Sequence, residues 1–147
     1  MKRLMVVSIV LVLLMALSIS SVSSQEKIKL ILSIHTDFNR EGLDDYLRLY
    51  EQLNPHIEIV KEVTPFEDYL KKIQIAEVSG RGADLYHVYS LWGVELVRSG
   101  ILDEPPAEVK EDVMKNYVPV AVSGVTIDGD IWGIPTEIDN YMLVYNK

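Results

Sequence analysis

The sequence predicts an α/β fold with a mostly parallel sheet flanked by helices, on three observations. The first strand-like run, Lys27 to Ile34, is apolar on both faces through Ile28, Leu30, Ile31, Leu32 and Ile34, as a strand covered on two sides must be. Strand-like runs then alternate with amphipathic helical stretches, a pattern that requires crossover connections between parallel strands. Finally, Asn54-Pro55, Thr64-Pro65 and Gly80-Arg81-Gly82 fall between these runs, so the periodic segments are cleanly punctuated.

The first strand belongs in the middle of the sheet. Over Glu41 to Leu53, the apolar residues Leu43, Tyr46, Leu47, Tyr50 and Leu53 recur at intervals of three and four against Asp44, Asp45, Arg48 and Glu51, which predicts a helix with one core-facing stripe. Asn54-Pro55 ends it. Ile57, Ile59 and Val63 alternate with polar residues and predict a second strand, nearer the sheet edge. Thr64, Pro65 and Glu67 then have the order of N-cap, first helical residue and capping-box acid. The helix they open turns Phe66, Tyr69, Leu70, Ile73 and Ala76 inward.

Gly80-Arg81-Gly82 breaks that helix, and Asp84 to Tyr89 predicts a third strand running into Ser90-Leu91-Trp92. A short helix with Leu91, Val94 and Val97 along it follows, and Gly100 is placed for a left-handed C-cap. Pro105-Pro106 introduces a weaker helical stretch to about Tyr117, and Val118 to Ser123 fits either strand or helix. Asp128-Gly129, between Val125-Thr126-Ile127 and Ile131-Trp132, predicts a tight hairpin. Pro135 closes its second arm, after which Glu137, Asp139 and Asn140 precede the apolar run Met142 to Tyr145. That run predicts a buried strand with polar groups at its mouth.

The N-terminus reads as an export signal and not as part of the fold. Lys2 and Arg3 precede an apolar run from Leu4 to Leu17, which gives way to small residues before the first acid at Glu26. This order of basic, apolar and small segments is that of a secretory signal peptide, and the run is shorter than the ~20 apolar residues that span a bilayer. We assign residues 1–23 to the signal and 24–147 to an α/β lobe. The chain has no cysteine, which excludes a lipobox thiol and any disulfide. Loss of Lys2 and Arg3 moves the net charge from −8 to −10, and so acidic a surface disfavours nucleic acid and anionic lipid as partners.

Several features in order carry a family resemblance. A first strand ends in His35-Thr36-Asp37, and a helix ends at Asn54-Pro55. Another helix leads through Gly80-Arg81-Gly82-Ala83 to a strand opened by Asp84. Trp92 and Ser99-Gly100-Ile101-Leu102 then precede the Asp128 to Pro135 hairpin and the Tyr145-Asn146-Lys147 strand. In this order the chain resembles the N-terminal part of the extracellular solute-binding proteins of family 1, the sugar-type receptors of ATP-binding-cassette importers. The resemblance implies a type II periplasmic-binding-protein-like lobe, exported to the periplasm or the outer face of the membrane. It also implies a small-molecule ligand, a sugar or oligosaccharide, bound in a cleft that closes against a second lobe, and permease subunits as partners. No cofactor or metal is implied. The family's chain continues into that second lobe after the Tyr-Asn-Lys strand, so this chain reads as cut before it, with a non-binding remnant as one alternative.

Fold geometry places the candidate site independently. In an open parallel sheet, ligands sit beyond the carboxyl ends of the strands, which selects His35, Thr36, Asp37 and Phe38, then Ser90 and Trp92, then Glu137, Asp139 and Tyr141. Carboxylates take several sugar hydroxyls and aromatic faces cover the C–H side of a ring. The resemblance singles out Asp139, four residues after the hairpin proline, as the acidic ligand contact. Each residue also has a structural reading: Asp139 and Asn140 as loop caps, Asn39 as a helix N-cap, Trp92 and Trp132 as packing. Asp128 and Asp130 resemble part of a calcium loop, but Gly133 and Pro135 occupy the stretch where further ligands would fall, and a turn is the better account. A secreted glycoside-acting enzyme would need an acid and base pair, yet nothing sets Glu137 with Asp139 apart as one. Gly-x-Ser-x-Gly, His-Glu-x-x-His and Walker patterns are absent from the sequence. The reading is therefore a binding protein and not an enzyme.

Overall fold

The computed structural model describes residues 27–139 and 142–146, so the proposed signal segment, Asn140, Tyr141 and Lys147 lie outside the described residues. Its centre is a three-stranded parallel sheet in the order β2-β1-β3, where β1 is Ile28–His35, β2 is Ile57–Thr64 and β3 is Leu85–Tyr86. The first strand is central, as its two-sided apolar pattern requires. It pairs in register with β2 along its whole length, from Ile28 opposite Ile57 to His35 opposite Thr64. Burial rises along it, ending in Ser33, Ile34 and His35.

The third strand is shorter than the sequence predicts: the ladder covers Leu85–Tyr86 and not Asp84 to Tyr89. Asp84 starts it, since its N–H donates to the Ile31 carbonyl at 3.1 Å and its Oδ2 accepts the Ile31 N–H at 2.7 Å. His87 N–H to the Ser33 carbonyl, 3.0 Å, is the last link. Beyond it the chain leaves the sheet, and the His87 ring stacks on Phe38.

Helix α1 (Leu43–Leu53) departs from expectation in burial. None of its residues is buried, and Tyr46, Tyr50 and Leu53 are exposed where the periodicity predicts a core stripe. The helix lies over β2, an edge strand, and a three-stranded sheet is too narrow to cover so wide a stripe; of its apolar residues Leu43 and Leu47, one turn apart, are half-buried, with Glu51 a further turn on. Asn39 is not its cap. Gly42 holds that position, and Asn39 Oδ1 accepts a hydrogen bond from Lys61 Nζ at 2.8 Å.

Helix α2 (Phe66–Val78) behaves as predicted on its inner face, burying Tyr69 and Ile73. Its predicted cap does not form: Thr64 is buried in β2 and its hydroxyl accepts from Lys72 Nζ at 3.1 Å. Helix α3 (Ser90–Arg98) begins earlier than expected, at the point where β3 has already ended, and buries Gly93 and Leu96. Leu91 is 82% exposed, so the inward stripe is one position out from the predicted one. Gly100 does take the left-handed conformation, with φ 69°. The main core joins Tyr69, Ile73 and Leu96 to Leu70, Tyr86, Val88, Trp92, Ile101 and Leu102.

Helix α4 (Ala107–Asn116) follows the proline pair, and the ambiguous stretch is helix α5 (Pro119–Gly124), opened by proline at its first position. The hairpin is as predicted. Strands β4 (Thr126–Ile127) and β5 (Asp130–Ile131) pair antiparallel, with Asp128 at φ 52° and Gly129 at φ 95°, the two left-handed positions of a type I′ turn. Asp128 and Asp130 pair with Arg98 and Lys110 at 3.2 and 3.6 Å.

The closing run is corrected. Met142, Leu143, Val144 and Tyr145 are 82, 92, 82 and 76% exposed and form no strand. A strand needs a neighbouring ladder, and none of the described strands pairs with this run.

Candidate functional site at the sheet edge

The carboxyl ends of β1 and β3 bring three chain segments together. A 3-10 turn, Thr36–Phe38, follows β1; His87 and Tyr89 lead from β3 to α3; and the segment after the hairpin lies across both. Two polar contacts fasten this last segment. Arg40 forks onto Glu137, Nη1 to Oε1 at 2.8 Å and Nη2 to Oε2 at 3.1 Å, and His87 Nε2 shares a hydrogen bond of 2.9 Å with Thr136 Oγ1.

Aromatic rings line the floor. Trp92 lies 4.9 Å from Phe66, 5.7 Å from Tyr89 and 6.2 Å from Tyr69, measured between ring centroids. His35 stands edge-on to Phe66 at 5.2 Å and near His87, Tyr89 and Trp92. Phe38 and His87 stack at 3.4 Å with 10° between planes. Edge-on pairs such as His35–Phe66 stabilise by about 0.5–1.5 kcal/mol beyond burial.

Of the predicted site residues, His35 and Trp92 enter this one cluster. Thr36 and Asp37 are exposed on the turn beside it, with the Thr36 hydroxyl 3.3 Å from Asp37 Oδ1 and Arg40 Nε donating to the Asp37 carbonyl at 3.3 Å. Ser90 is exposed at the first position of α3, and Asp139 is exposed two residues beyond Glu137. Glu137 is not a free carboxylate, because Arg40 occupies both its oxygens. Tyr141 lies outside the described residues. Sequence reasoning missed His87, Arg40, Tyr89 and the part that Phe66 plays in the floor. His87 falls mid-strand when the third strand is taken as far as Tyr89; for Arg40 no sequence signal points to a partner 97 residues away.

The two imidazoles are held neutral. Burial pushes His87 down to about 4, with His35 and Arg40 adding to the effect. Burial also lowers His35, against the opposing pull of Asp37 and Glu137. His35, only 2% exposed, has both ring nitrogens without a hydrogen-bond partner among the described residues, as does Nδ1 of His87.

A hollow of about 490 Å³ runs along the flank of α2, lined by Asp68, Lys71, Lys72, Ile75, Ala76, Ser79 and Arg81. It offers no aromatic face. Among the described residues, no group of three or more His, Cys, Asp or Glu could hold a metal ion, and no helix is long and apolar enough to cross a membrane.

Residues 34–147 match the bacterial extracellular solute-binding protein family. The chain belongs to that family. Relatives of this solute-binding protein from Brucella abortus (strain 2308) and Brucella suis biovar 1 (strain 1330), each provisionally named a binding protein, are 21% identical over 131 residues, 89% of this chain and 32% of theirs. The chain thus spans about a third of the length of these curated relatives.

Among solved structures, the maltose/maltodextrin-binding domain of Bdellovibrio bacteriovorus bound to maltotriose is similar at TM-score 0.63 and 21% identity, over 71% of this chain and 27% of that one. The galacto-N-biose/lacto-N-biose I-binding protein of Bifidobacterium longum gives 0.62 and 19%, over 74% and 28%. A Listeria monocytogenes ABC substrate-binding protein in complex with cycloalternan gives 0.60 and 20%, over 72% and 28%. At these identities the likeness shows the fold alone, which is the type II periplasmic-binding-protein-like α/β arrangement with a parallel sheet.

Proposed function

We propose that this solute-binding protein takes up a sugar or oligosaccharide outside the cytoplasm and presents it to an ATP-binding-cassette permease, without catalysis. The observation that carries this is the sheet edge, where Phe66, Tyr89 and Trp92 pack as an aromatic floor; in this reading Thr36, Asp37 and Asp139, all exposed, supply the polar contacts around it. Aromatic faces suit the apolar side of a sugar ring, and carboxylates accept its hydroxyls. The sugars in the names of the three similar structures support the same ligand class.

In this reading residues 1–23 direct export and 24–147 form one α/β lobe. A second lobe supplies the opposite wall and closes by hinge motion, and the exposed apolar residues Met142 to Tyr145 suit burial against it. Asp139 is the leading ligand contact in this proposal, with Trp92, Asp37, Thr36 and Ser90 as further contacts; His35, only 2% exposed, supports the floor from beneath, Glu137 contributes through Arg40, and Tyr141 stays a candidate outside the described residues. Titration calorimetry against an oligosaccharide panel tests the proposal. Asp139→Ala lowers affinity by about 1–3 kcal/mol if the carboxylate accepts a ligand hydroxyl, and an unchanged affinity removes Asp139 from the site. Turnover of any sugar would replace binding with enzymology.

A further inference from the structure

We propose that His87 is a positioning residue whose neutral imidazole clamps residues 135–139 to the sheet edge and lets them go when it takes up a proton. The segment belongs to no helix or strand, so side chains must hold it. Among the described residues, it is fastened by the ion pair of Glu137 with Arg40 and by the hydrogen bond between Thr136 and His87 Nε2.

His87 is well fixed for the task. Its N–H is tied to the Ser33 carbonyl, and its ring is stacked flat on Phe38. Its Nδ1 is buried and has no partner among the described residues. A neutral ring tolerates that, because one nitrogen then carries no proton and the other serves Thr136. A protonated ring does not: both nitrogens become donors, and Nδ1–H is left buried without an acceptor.

The charges around the ring oppose protonation on balance. From β1, His35 lies 5.2 Å away between centroids, and Arg40 follows the turn; both add to the effect of burial in disfavouring a charge on His87. Asp37 on that turn, and Glu137 and Asp139 on the clamped segment, are the negative groups at this edge; Glu137 is already engaged by Arg40, and Asp139 is exposed. From α2, the Tyr69 hydroxyl donates a hydrogen bond to the Ser33 carbonyl and is neutral. The relief open to a protonated His87 is to leave the Phe38 stack for solvent, which frees Thr136. Asp139, three residues further on, moves with it, so solute affinity falls on acidification. Only that last consequence rests on the solute-binding reading.

The size of the effect follows from the two proton affinities. An imidazole that titrates at 6.5 when free and about 4 when clamped favours release by roughly 10- to 30-fold more at pH 5 than at pH 7.5. NMR titration of the full chain reads this directly from the His87 ring and the methyl groups of Thr136 and Ile138. The expected result is one shared transition with a midpoint between about 4 and 6.5, while β1 and α2 resonances stay native. In His87→Gln the Thr136 and Ile138 transitions vanish, and in Thr136→Val the His87 transition persists while Ile138 no longer follows it.

A His87 that titrates while Thr136 and Ile138 stay flat overturns the clamp, as does a transition that survives in His87→Gln or that unfolds β1 and α2 together. Calorimetry on the same samples separates the two proposals. Co-titration with no sugar bound at any pH leaves the clamp standing and sinks the solute reading; sugar binding without co-titration does the reverse.

Discussion

Removing one oxygen from the core tests how the sheet and α2 are joined. The Tyr69 ring is fully buried, and its hydroxyl donates to the Ser33 carbonyl at 2.5 Å. That carbonyl has a second donor, the His87 N–H at 3.0 Å. Tyr69→Phe therefore leaves no stranded acceptor. The cost is the net value of one neutral hydrogen bond, about 1 kcal/mol, and not the ~1–3 kcal/mol of an unsatisfied buried group. For a lobe of this size, 1 kcal/mol lowers Tm by about 3–6 °C. Urea denaturation followed by circular dichroism gives the number, with an unchanged m-value expected because the same surface is exposed. A loss above ~3 kcal/mol would mean that the carbonyl depends on Tyr69 alone, which would refute the two-donor account. No loss would mean that the hydroxyl is solvated and the ring less buried than described.

Other perturbations read other parts of the fold. Leu96→Ala empties a fully buried position between α3 and α2 and should cost about 2–5 kcal/mol by the same denaturation assay. Tyr86 is pushed up to about 12, chiefly by burial and then by its hydrogen bond to Glu77 at 2.6 Å. Since the unfolded tyrosine ionises near 10, stability is full below pH 10 and falls as pH rises toward 12; ultraviolet titration should show Tyr86 ionising late, and Tyr86→Phe should flatten the alkaline loss. At Gly82, an added Cβ would sit 1.9 Å from Glu77 Oε1, so Gly82→Ala must displace that carboxylate from Tyr86. The carboxylate is the free end of a flexible side chain and the Tyr86 hydroxyl keeps the Ala83 N–H, so the expected outcome is a loss of about 1 kcal/mol together with a fall in the Tyr86 ionisation midpoint; a variant with Tyr86 unmoved would contradict the contact.

Local patterns are legible in the sequence where they depend on neighbours along the chain. The two-sided apolar strand Ile28–His35 is central and Asp128-Gly129 makes the hairpin, whereas Val118 to Ser123 fits either strand or helix in sequence and the structure shows the helix Pro119–Gly124. Periodicity fails where width and pairing decide the outcome. The α1 stripe of Tyr46, Tyr50 and Leu53 is amphipathic in sequence but overhangs a narrow sheet, and Met142 to Tyr145 is strand-like in composition but unpaired. At the site, strand exits locate His35, Thr36, Asp37 and Trp92, because the carboxyl edge follows from topology. The fastening of Glu137 by Arg40 and of Thr136 by His87 is not legible, because it joins residues 97 and 49 positions apart through side chains alone.

Chemical-shift mapping with an oligosaccharide panel tests the central claim, that the sheet edge is the solute site. A bound sugar should perturb the Trp92 indole, the Thr36 and Asp37 amides and Asp139, leaving Lys71, Ile75 and Ser79 on the flank of α2 unmoved. Perturbations confined to that hollow, or none with any sugar, would contradict it.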